Sequence, residues 1–295
     1  MIATTGFFDG VHSGHRLVLE RLVSLARLRG DKSLVVTFWP HPRAVLQDGA
    51  RELRLLTTLD EKRQFLAGIG VDSVEVLDFT RTFASQTAEE YLRLLKDRFH
   101  VTTLLMGYDN HIGSDRLTAD GLVPLARSIG MELLKLEALG NRPAVSSTKI
   151  RNALAEGRVE DANGMLGYRY GLKGAVVAGN RLGRTIGFPT ANMKLYEPLK
   201  LVPARGVYVV DVEVLGRRFR GMTNIGTRPT VGGTIPSIET HILDFEEDIY
   251  GLPLQIRFLR RIRDEVRFPS LDALRQQLER DREACRDQMD IELDT

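Results

Sequence analysis

The sequence has 295 residues, of which 43% are hydrophobic and 27% are charged, and its formal net charge at pH 7 is +2. This length exceeds the usual size of one domain and the composition is that of an ordinary globular protein, so we predict two domains. The basic residues are spread along the whole chain, which argues against a nucleic-acid-binding protein, because such proteins usually carry a clustered basic stripe.

The cysteine content and the apolar runs indicate in which cellular compartment the protein is expected. The single cysteine, Cys285, excludes a disulfide framework and a cysteine-based zinc site within the chain. The amino terminus lacks a basic segment followed by an apolar one, and no apolar run approaches the length that spans a bilayer. These features predict a cytoplasmic protein that uses neither a membrane nor a nucleic acid as a partner.

In the first half of the chain, apolar runs alternate with amphipathic segments. The apolar runs predict strands at residues 2–5, 34–38, 73–79, 101–107 and 132–137. Helical spacing of apolar residues predicts helices between them, one over 18–25 that begins near His15 and one over 88–99. Strands that alternate with helices indicate a parallel sheet with right-handed crossovers, which binds ligands beyond the carboxyl ends of its strands.

The pattern changes near residue 167. Two short helices are predicted over 150–166, with a break near Gly157. Short β-rich runs separated by Gly, Pro and Asn then predict a small antiparallel barrel, with strands at 174–178, 206–215, 219–224, 238–245 and 254–259. No helix is expected until about residue 270, where Leu271, Leu274 and Leu278 share one face. We therefore predict domains at 1–167 and 168–295.

A ten-residue segment after the first predicted strand reads Gly-Phe-Phe-Asp-Gly-Val-His-Ser-Gly-His, from Gly6 to His15. Gly10 and Gly14 permit a tight turn and a close approach by phosphate. His12 and His15 stand where a helix begins, and the N–H groups and dipole of that helix favour anions. Their imidazoles can donate hydrogen bonds to oxygens that gain charge when a phosphate is attacked. A His-x-x-His pair can also be incidental or hold a metal, but no third ligand of the zinc type is nearby.

A second hydroxyl-rich segment, Val-Ser-Ser-Thr-Lys-Ile-Arg at 145–151, follows the last predicted strand of this half. Three hydroxyl residues and two cations suit a triphosphate, although Ser-Ser-Thr alone is also a good helix cap. The two segments together resemble the nucleotidylyltransferase superfamily, whose His-x-Gly-His and Ser/Thr-rich motifs hold the phosphates of ATP during direct attack on the α-phosphate. The resemblance implies no covalent enzyme intermediate.

A glycine-rich segment lies in the second half, at 183–192, and reads Gly-Arg-Thr-Ile-Gly-Phe-Pro-Thr-Ala-Asn. No P-loop motif is present, so a kinase here would be of another type. Two glycines expose backbone N–H groups, and Thr190 and Asn192 offer neutral oxygens to a Mg²⁺ ion between phosphates. The segment could equally be a turn between barrel strands.

This segment and four later ones, at 206–208, 224–230, 239–245 and 248–251, resemble riboflavin kinase. With the segment at 6–15, the chain resembles the bacterial bifunctional riboflavin kinase/FMN adenylyltransferases, also called FAD synthetases, from about residue 4 to 288. The resemblance implies an α/β nucleotidylyltransferase domain with a Rossmann-like parallel sheet, followed by a small antiparallel β-barrel kinase domain with a C-terminal helix. It implies that ATP phosphorylates riboflavin to FMN at the barrel and adenylylates FMN to FAD, releasing pyrophosphate, at the first domain.

The resemblance also assigns residues. It implies that His12 and His15 stabilise the transition state of adenylyl transfer and that Glu239 is the general base of the kinase, although an isolated strand glutamate more commonly faces solvent. It places Mg²⁺–ATP at Thr190 and Asn192. The other expected adenylyltransferase residues are Gly6, Phe8, Asp9, Gly14, Asp109, Ser146, Ser147, Thr148 and Arg151. The other expected kinase residues are Gly183, Gly187, Pro189 and Arg263.

The chain departs from the family at two places. Where the family usually has Gly-x-Asp-Phe-Arg-Phe-Gly, this chain has Asn110, His111 and Ile112 between Asp109 and Gly113. This puts contacts to FMN in question, although His111 could still donate to a phosphate. Family members also usually carry a short segment before the first motif, so we expect either a missing surface element or a start placed too late.

Three activities remain open from the sequence. The first is the bifunctional enzyme. The second is an active riboflavin kinase whose adenylyltransferase accepts FMN poorly because of the altered segment at 110–112. The third is a flavin- or nucleotide-binding regulator without catalysis, against which the intact His12, His15, Thr190, Asn192 and Glu239 argue.

Overall fold

The computed structural model describes residues 1–46, 53–107, 111–136, 145–179, 182–230 and 233–286. By internal contacts the chain divides into two compact units, Met1–Ser147 and Thr148–Thr295. Among the described residues, no helix is both long enough and apolar enough to cross a membrane.

The first unit is built on a five-stranded sheet in the order β3-β2-β1-β4-β5, and all of its strand pairs are parallel. Its strands are β1 (Ile2–Thr5), β2 (Ser33–Trp39), β3 (Ser73–Asp78), β4 (Thr103–Met106) and β5 (Glu132–Lys135). Its helices are α1 (Ser13–Arg29), α2 (Pro42–Leu46), α3 (Leu59–Ile69), α4 (Arg81–Ala84), α5 (Ala88–Phe99) and α6 (Ala119–Ser128). The predicted α/β architecture is therefore confirmed.

The central strands are buried on both faces, which explains their apolar sequences. Successive residues of a strand point to opposite faces. On β1, Ile2 packs in the core cluster shared with α1 and α3, whereas Ala3 packs in the cluster shared with α5 and α6. The chain winds from β1 outward to β2 and β3 on one side and returns to β4 on the other. Strand order therefore reverses at β1 and β4, and the first motif begins where β1 ends.

The second unit contains a closed six-stranded barrel in the order β10-β7-β6-β11-β8-β9, with antiparallel pairing throughout. Its strands are β6 (Gly171–Val177), β7 (Ala191–Leu195), β8 (Gly206–Val214), β9 (Arg217–Thr230), β10 (Gly233–Ile242) and β11 (Pro253–Arg263). Its helices are α7 (Ser147–Ala155, whose first residue belongs to the first unit), α8 (Val159–Leu166), α9 (Leu182–Thr185) and α10 (Leu271–Arg286). The predicted barrel is confirmed.

The barrel interior is filled by large apolar and aromatic side chains. Tyr208 and Phe258 are fully buried with ring centroids 5.2 Å apart. Helix α8 packs on the barrel, where the Asn163 amide donates to the Phe258 carbonyl and accepts from the Tyr170 N–H. The carbonyl of Leu154 in α7 accepts from the N–H of Ala204, just before β8. The division at residues 167 and 168 stays a prediction.

Three details differ from the sequence prediction. Strand β7 was not predicted, since it is short and follows directly on the glycine-rich segment. The four-residue helix α9 was not predicted either, because it is a single turn inside that segment. In α10, Leu271 is 52% exposed and the buried positions are Asp281 and Cys285, so the face that packs on the barrel lies further along the helix than predicted.

Candidate functional sites

The loop between β1 and α1 has an unusual backbone. Phe8, Gly10 and Val11 have φ values of 52°, 85° and 36°. Positive φ is strained for non-glycine residues and persists only where the surroundings hold it. The strained loop coincides with the predicted phosphate-binding segment, which is where such conformations concentrate.

The buried side chain of Asp9 holds this loop. Its carboxylate accepts hydrogen bonds from the backbone N–H groups of Leu56 and Thr57, both near 3 Å, and from the Thr57 hydroxyl. The Thr57 hydroxyl also accepts from the N–H of Gly10. Asp9 therefore fixes the loop against the segment before α3, and Thr57 is a supporting residue that the sequence analysis missed.

His12 caps α1. Its Nδ1 accepts from the backbone N–H of His15 at 3.3 Å, and its backbone is extended as N-cap residues require. An imidazole that accepts at Nδ1 carries its proton on Nε2 when it is neutral. His12 thus presents a hydrogen-bond donor on the side of the ring away from the helix.

His15 stacks on His12, with ring centroids 3.6 Å apart and planes inclined by 18°. Burial holds the pKa of His15 well below its ordinary value, and the nearby His12 and Lys62 lower it further. Two imidazoles stacked so closely repel each other when both are protonated, so double protonation is disfavoured. The structure therefore brings the predicted pair together and keeps His15 neutral near pH 7, as a hydrogen-bond donor rather than a cation.

Two glycines of the motif leave room for this arrangement. A Cβ at Gly6 would lie 3.1 Å from the Phe8 ring, and a Cβ at Gly14 would lie 3.3 Å from the His12 ring. Phe8 is buried and meets His15 edge-on, with centroids 5.3 Å apart. Gly6, Phe8 and Gly14 thus shape the histidine pair.

The second motif begins helix α7. The Ser147 hydroxyl donates to the carbonyl of Asp9 at 2.9 Å, so the structure brings the start of this helix to the first motif. Ser146 directly precedes it and is half-buried. Thr148 is exposed and Arg151 is half-buried in the first turns of the same helix, in the part counted with the second unit.

The altered segment after β4 is partly described. Asp109 and Asn110 lie outside the described residues. Ile112 is 5% exposed and packs in the core cluster of α5 and α6, whereas His111 is exposed. At position 112 the chain thus keeps an apolar core residue where the family pattern has an aromatic one.

In the second unit, the predicted kinase residues form a row across neighbouring strands. Glu239 of β10 lies directly opposite Asn192 of β7 on one side and Asn224 of β9 on the other. Asn224 is opposite Val207 of β8, which is opposite Arg263 of β11. Directly opposed residues share one face of a sheet, so Asn192, Glu239 and Arg263 lie on the same face of the barrel. Asn224 begins the segment 224–230 that resembles riboflavin kinase, but the sequence analysis gave this residue no role.

The glycine-rich segment folds into a tight turn around α9. The Phe188 N–H donates to the Gly183 carbonyl, and a Cβ at Gly183 would lie only 2.1 Å from the Phe188 carbonyl oxygen. Gly187 has a φ of 82°, which disfavours a side chain. The Gly187 N–H donates to the Arg184 carbonyl within the turn. Gly183 and Gly187 are therefore needed for the shape of the backbone.

Contacts from β10 and α10 hold the end of this turn. The Nδ1 of His241 donates to the carbonyl of Pro189 at 2.8 Å, and the His241 ring lies 5.2 Å from that of Phe188. The guanidinium of Arg282 in α10 lies over the Phe188 ring, 5.2 Å from its centroid. Burial lowers the pKa of His241, and Arg282 lowers it further against the effect of the Pro189 hydrogen bond. The segment that carries Thr190 and Asn192 is therefore fixed from two sides.

A pocket of about 420 Å³ opens beside Thr190. Its wall combines apolar groups with a few polar ones, as in small-molecule sites. The lining includes Arg184, Thr190, Phe245, Asp248, Ile249 and Tyr250.

Arg263 is held by a buried carboxylate of α10. Its Nε donates to both oxygens of Asp281, at 3.1 and 3.0 Å, and its Nη2 donates to Oδ2 at 2.7 Å. Asp281 is 1% exposed. Gln277 also donates to Asp281, and the Arg263 guanidinium lies over the Phe268 ring. Asp281 was missed because it occupies a position in the otherwise apolar stripe of the helix.

The oxygen donors at the barrel fit a magnesium ion carried by a nucleotide. Among the described residues, no group of three or more His, Cys, Asp or Glu side chains is placed to hold a metal. Mg²⁺ at phosphate sites usually takes one or two protein oxygens and completes its shell with phosphates and water. The half-buried Thr190 hydroxyl and the buried Asn192 amide, opposite the Glu239 carboxylate, supply such oxygens.

Comparison with known proteins identifies relatives of both units. A family model for FAD synthetase matches residues 1–149, and one for riboflavin kinase matches residues 166–289. The bifunctional riboflavin kinase/FMN adenylyltransferase of Escherichia coli (strain K12) is 39% identical, over 97% of this chain and 92% of that protein. The protein of the same name from Bacillus subtilis (strain 168) is 34% identical, over 96% and 90%.

The fold is also found in a solved structure. A Streptococcus pneumoniae protein described as a macrolide-efflux protein is 35% identical, with a TM-score of 0.90 over 97% of this chain and 93% of that one.

Proposed function

Because this chain belongs to the family of bifunctional riboflavin kinase/FMN adenylyltransferases, we propose that its two units carry out successive steps of flavin cofactor synthesis at the two sites described above. The second unit transfers the γ-phosphoryl group of ATP to riboflavin and forms FMN. The first unit transfers the adenylyl group of a second ATP to FMN, forms FAD and releases pyrophosphate.

The observation that carries the adenylyltransferase assignment is the stacked pair His12 and His15 beside the start of α7. A neutral imidazole still carries one N–H group, which can donate a hydrogen bond to a phosphate oxygen. The FMN phosphate oxygen attacks the α-phosphorus, and His12 and His15 stabilise the charge that gathers on its oxygens. Ser146, Ser147, Thr148 and Arg151 contact the β- and γ-phosphates, which leave as pyrophosphate.

The kinase assignment rests on the row Asn192, Glu239 and Arg263 on one face of the barrel, next to the turn that carries Thr190. The nucleotide binds beside Thr190, and Thr190 and Asn192 would hold a Mg²⁺ ion, which would neutralise the phosphates. Glu239 accepts the proton of the riboflavin 5′-hydroxyl as that oxygen attacks the γ-phosphorus. Gly183, Gly187 and Pro189 shape the turn over the phosphates, and Arg263 borders the flavin.

The alternative of a kinase with a weak adenylyltransferase rests on the segment at 110–112. Ile112 lies in the core, so its difference from the family changes packing rather than a ligand contact. This supports full bifunctionality, with Asp109 as a ligand contact. The single cysteine supports the predicted cytoplasmic location, and the small-molecule substrates support the prediction that neither nucleic acid nor membrane is a partner.

One experiment tests the proposal. The protein is incubated with riboflavin, ATP and Mg²⁺, and riboflavin, FMN and FAD are separated over time. We expect FMN to rise first and FAD to follow, with no reaction when Mg²⁺ is removed with a chelator. FMN that accumulates without FAD would favour the kinase with a weak adenylyltransferase, and no turnover would favour a binding protein.

A further inference from the structure

A fully buried lysine lies beside the first motif. Lys62 of α3 is 0% exposed, and its ammonium donates to the Thr37 hydroxyl at 3.3 Å. The Thr37 hydroxyl donates to the carbonyl of Phe7 in the motif loop. The same ammonium lies 3.7 Å from the centroid of the Phe7 ring. Lys62 therefore contacts the Phe7 ring directly, and it is linked to the Phe7 backbone through the Thr37 hydroxyl.

Such a position is costly for the fold. An ammonium has three N–H donors, and Thr37 is the hydrogen-bond acceptor that the described residues give it. The ring face of Phe7 offers a weaker cation–π contact. A buried cation compensated in this way stabilises a protein less than an apolar side chain of similar size would. A structural role alone therefore gives a poor account of the lysine.

The surrounding charges point to the phosphate site. The charged and titratable groups that interact with Lys62 are Asp9 of the motif loop and His15 of α1, and His15 in turn stacks on His12. The Phe7 ring, which the ammonium also contacts, lies 4.2 Å from the ring of His41. Asp9 favours the charged form of Lys62, and the charge of Lys62 disfavours protonation of His15. A cation in a water-poor site beside a phosphate-binding loop raises the local positive potential, which favours a polyphosphate ligand.

We propose that Lys62 is a positioning residue of the adenylyltransferase, which supports the loop Gly6–His12 through Phe7 and Thr37 and keeps the phosphate site positive. The inference rests on the assignment of adenylyl transfer to the first unit. Lys62 acts through the loop and takes no part in forming or breaking bonds. Its charge and the loop geometry together favour bound ATP and the transition state.

The first test compares Lys62→Met with Lys32→Met, which removes an exposed lysine from the same unit. We expect Lys62→Met to lower kcat/KM for ATP in the conversion of FMN to FAD by about 10- to 100-fold, the effect of a misplaced reacting group. Lys32→Met is expected to have native kinetics. Phosphorylation of riboflavin by the same samples is the internal control and should not change.

Thermal stability separates this role from a structural one. Methionine replaces a buried cation by an apolar chain of similar length, so Lys62→Met should melt at the native temperature or above it. A variant with a lower Tm that loses both activities in equal proportion would show that Lys62 only holds the fold, and would overturn the proposal.

The pH dependence gives a second readout. Burial lowers the pKa of Lys62 from 10.5 to about 8. Between these values the unfolded chain binds more protons than the folded one, so the destabilisation caused by the buried charge is greatest below pH 8 and fades as the pH rises. The Tm gain of Lys62→Met over the native protein should therefore shrink between pH 8 and pH 10.5.

The pH dependence of kcat/KM should report the same loss of a proton from Lys62. In the native protein kcat/KM for ATP should fall above about pH 8, because the free enzyme then loses the charge. In Lys62→Arg the charge persists, so this alkaline fall should disappear. If the Met variant does not fold, the Arg profile decides alone.

Native kcat/KM in Lys62→Met, or an unchanged alkaline fall in Lys62→Arg, would overturn the inference while leaving the proposed function intact. Failure of the native protein to convert FMN would instead contradict the proposed function.

Discussion

Glu239 derives its expected role from its neighbours. As an isolated strand glutamate it has no distinguishing feature, but the register places it between Asn192 and Asn224 on one face of the barrel. Its partner Asn192 lies two residues after Thr190, in the segment where phosphates are expected. A carboxylate there can accept a proton from a hydroxyl that attacks a phosphorus.

We predict that Glu239→Gln lowers the rate of FMN formation by about 10²- to 10⁴-fold, the usual contribution of a general base. Conversion of added FMN to FAD should stay near native, because His12 and His15 are untouched. The matched control is Glu213→Gln, a glutamate of β8 that pairs with Arg257 and should leave both rates unchanged. Chromatographic assay of each step checks this, and equal loss of both steps in a folded variant would contradict the two-site assignment.

The opposite result is expected for His15. Its neutral ring stacks on His12. In the proposed mechanism it is the second hydrogen-bond donor to the α-phosphate. We predict that His15→Ala lowers FAD formation from FMN by about 10²- to 10³-fold, the effect of removing one preorganised donor. Riboflavin phosphorylation should be native.

The control for this substitution is His100→Asn, at the exposed left-handed cap of α5, where asparagine is tolerated. Steady-state rates of the two steps give the comparison. Native FAD formation in His15→Ala would remove this histidine from the mechanism.

At the scale of elements, α10 is attached to the barrel by charge as well as by apolar packing. Asp281 binds Arg263 at the end of β11, and Arg282 stacks on Phe188 of the glycine-rich turn. Leu278 and the buried Cys285 pack in the apolar cluster on the same face of the barrel. The helix therefore packs against β8, β9 and β11 and against the glycine-rich turn.

We predict that Asp281→Asn destabilises the second unit by about 2 to 4 kcal/mol, because it leaves Arg263, itself 19% exposed, without its buried counter-charge. The KM for riboflavin should rise, since Arg263 is then free to move, while FMN adenylylation is unchanged. Asp272→Asn, at an exposed position in the first turn of α10, serves as the control and should cost only a few tenths of a kcal/mol. Chemical denaturation and the two assays measure these effects. An unchanged midpoint would show that the pair contributes nothing.

At the scale of the whole molecule, the chain joins two units that each have their own core and candidate site. The product of the kinase is the substrate of the adenylyltransferase. If FMN is released between the steps, the two sites need not be on the same chain.

We predict that a mixture of Glu239→Gln and His15→Ala proteins forms FAD from riboflavin, although each alone forms little. FMN made by the His15→Ala protein would diffuse to the Glu239→Gln protein, so FAD should appear after a lag that shortens as protein concentration rises. The measurement is FAD over time at several concentrations. FMN that accumulates in the mixture without FAD would indicate that the adenylyltransferase does not take FMN from solution.

The sequence by itself determined the architecture. Apolar runs buried on both faces predict a parallel sheet because few polar residues interrupt them: Thr37 is the one polar residue in 34–38, and 104–106 has none. The turn residues between short β-rich runs predicted the barrel. His12, His15, Ser147 and Asn192 were predicted as site residues because chemistry and backbone shape restrict their motifs to few residue types. Glu239 was predicted only from the resemblance to the family.

Only the tertiary structure decided which residues support these motifs. Asp9 contacts Leu56 and Thr57, Lys62 contacts Phe7, and Asp281 contacts Arg263, and each pair is separated by many residues in the chain. The sequence alone does not distinguish a buried lysine or aspartate from an exposed one. Burial depends on which face of the helix packs on the sheet or the barrel. Long-range packing sets that face, so local pattern could not reveal these residues.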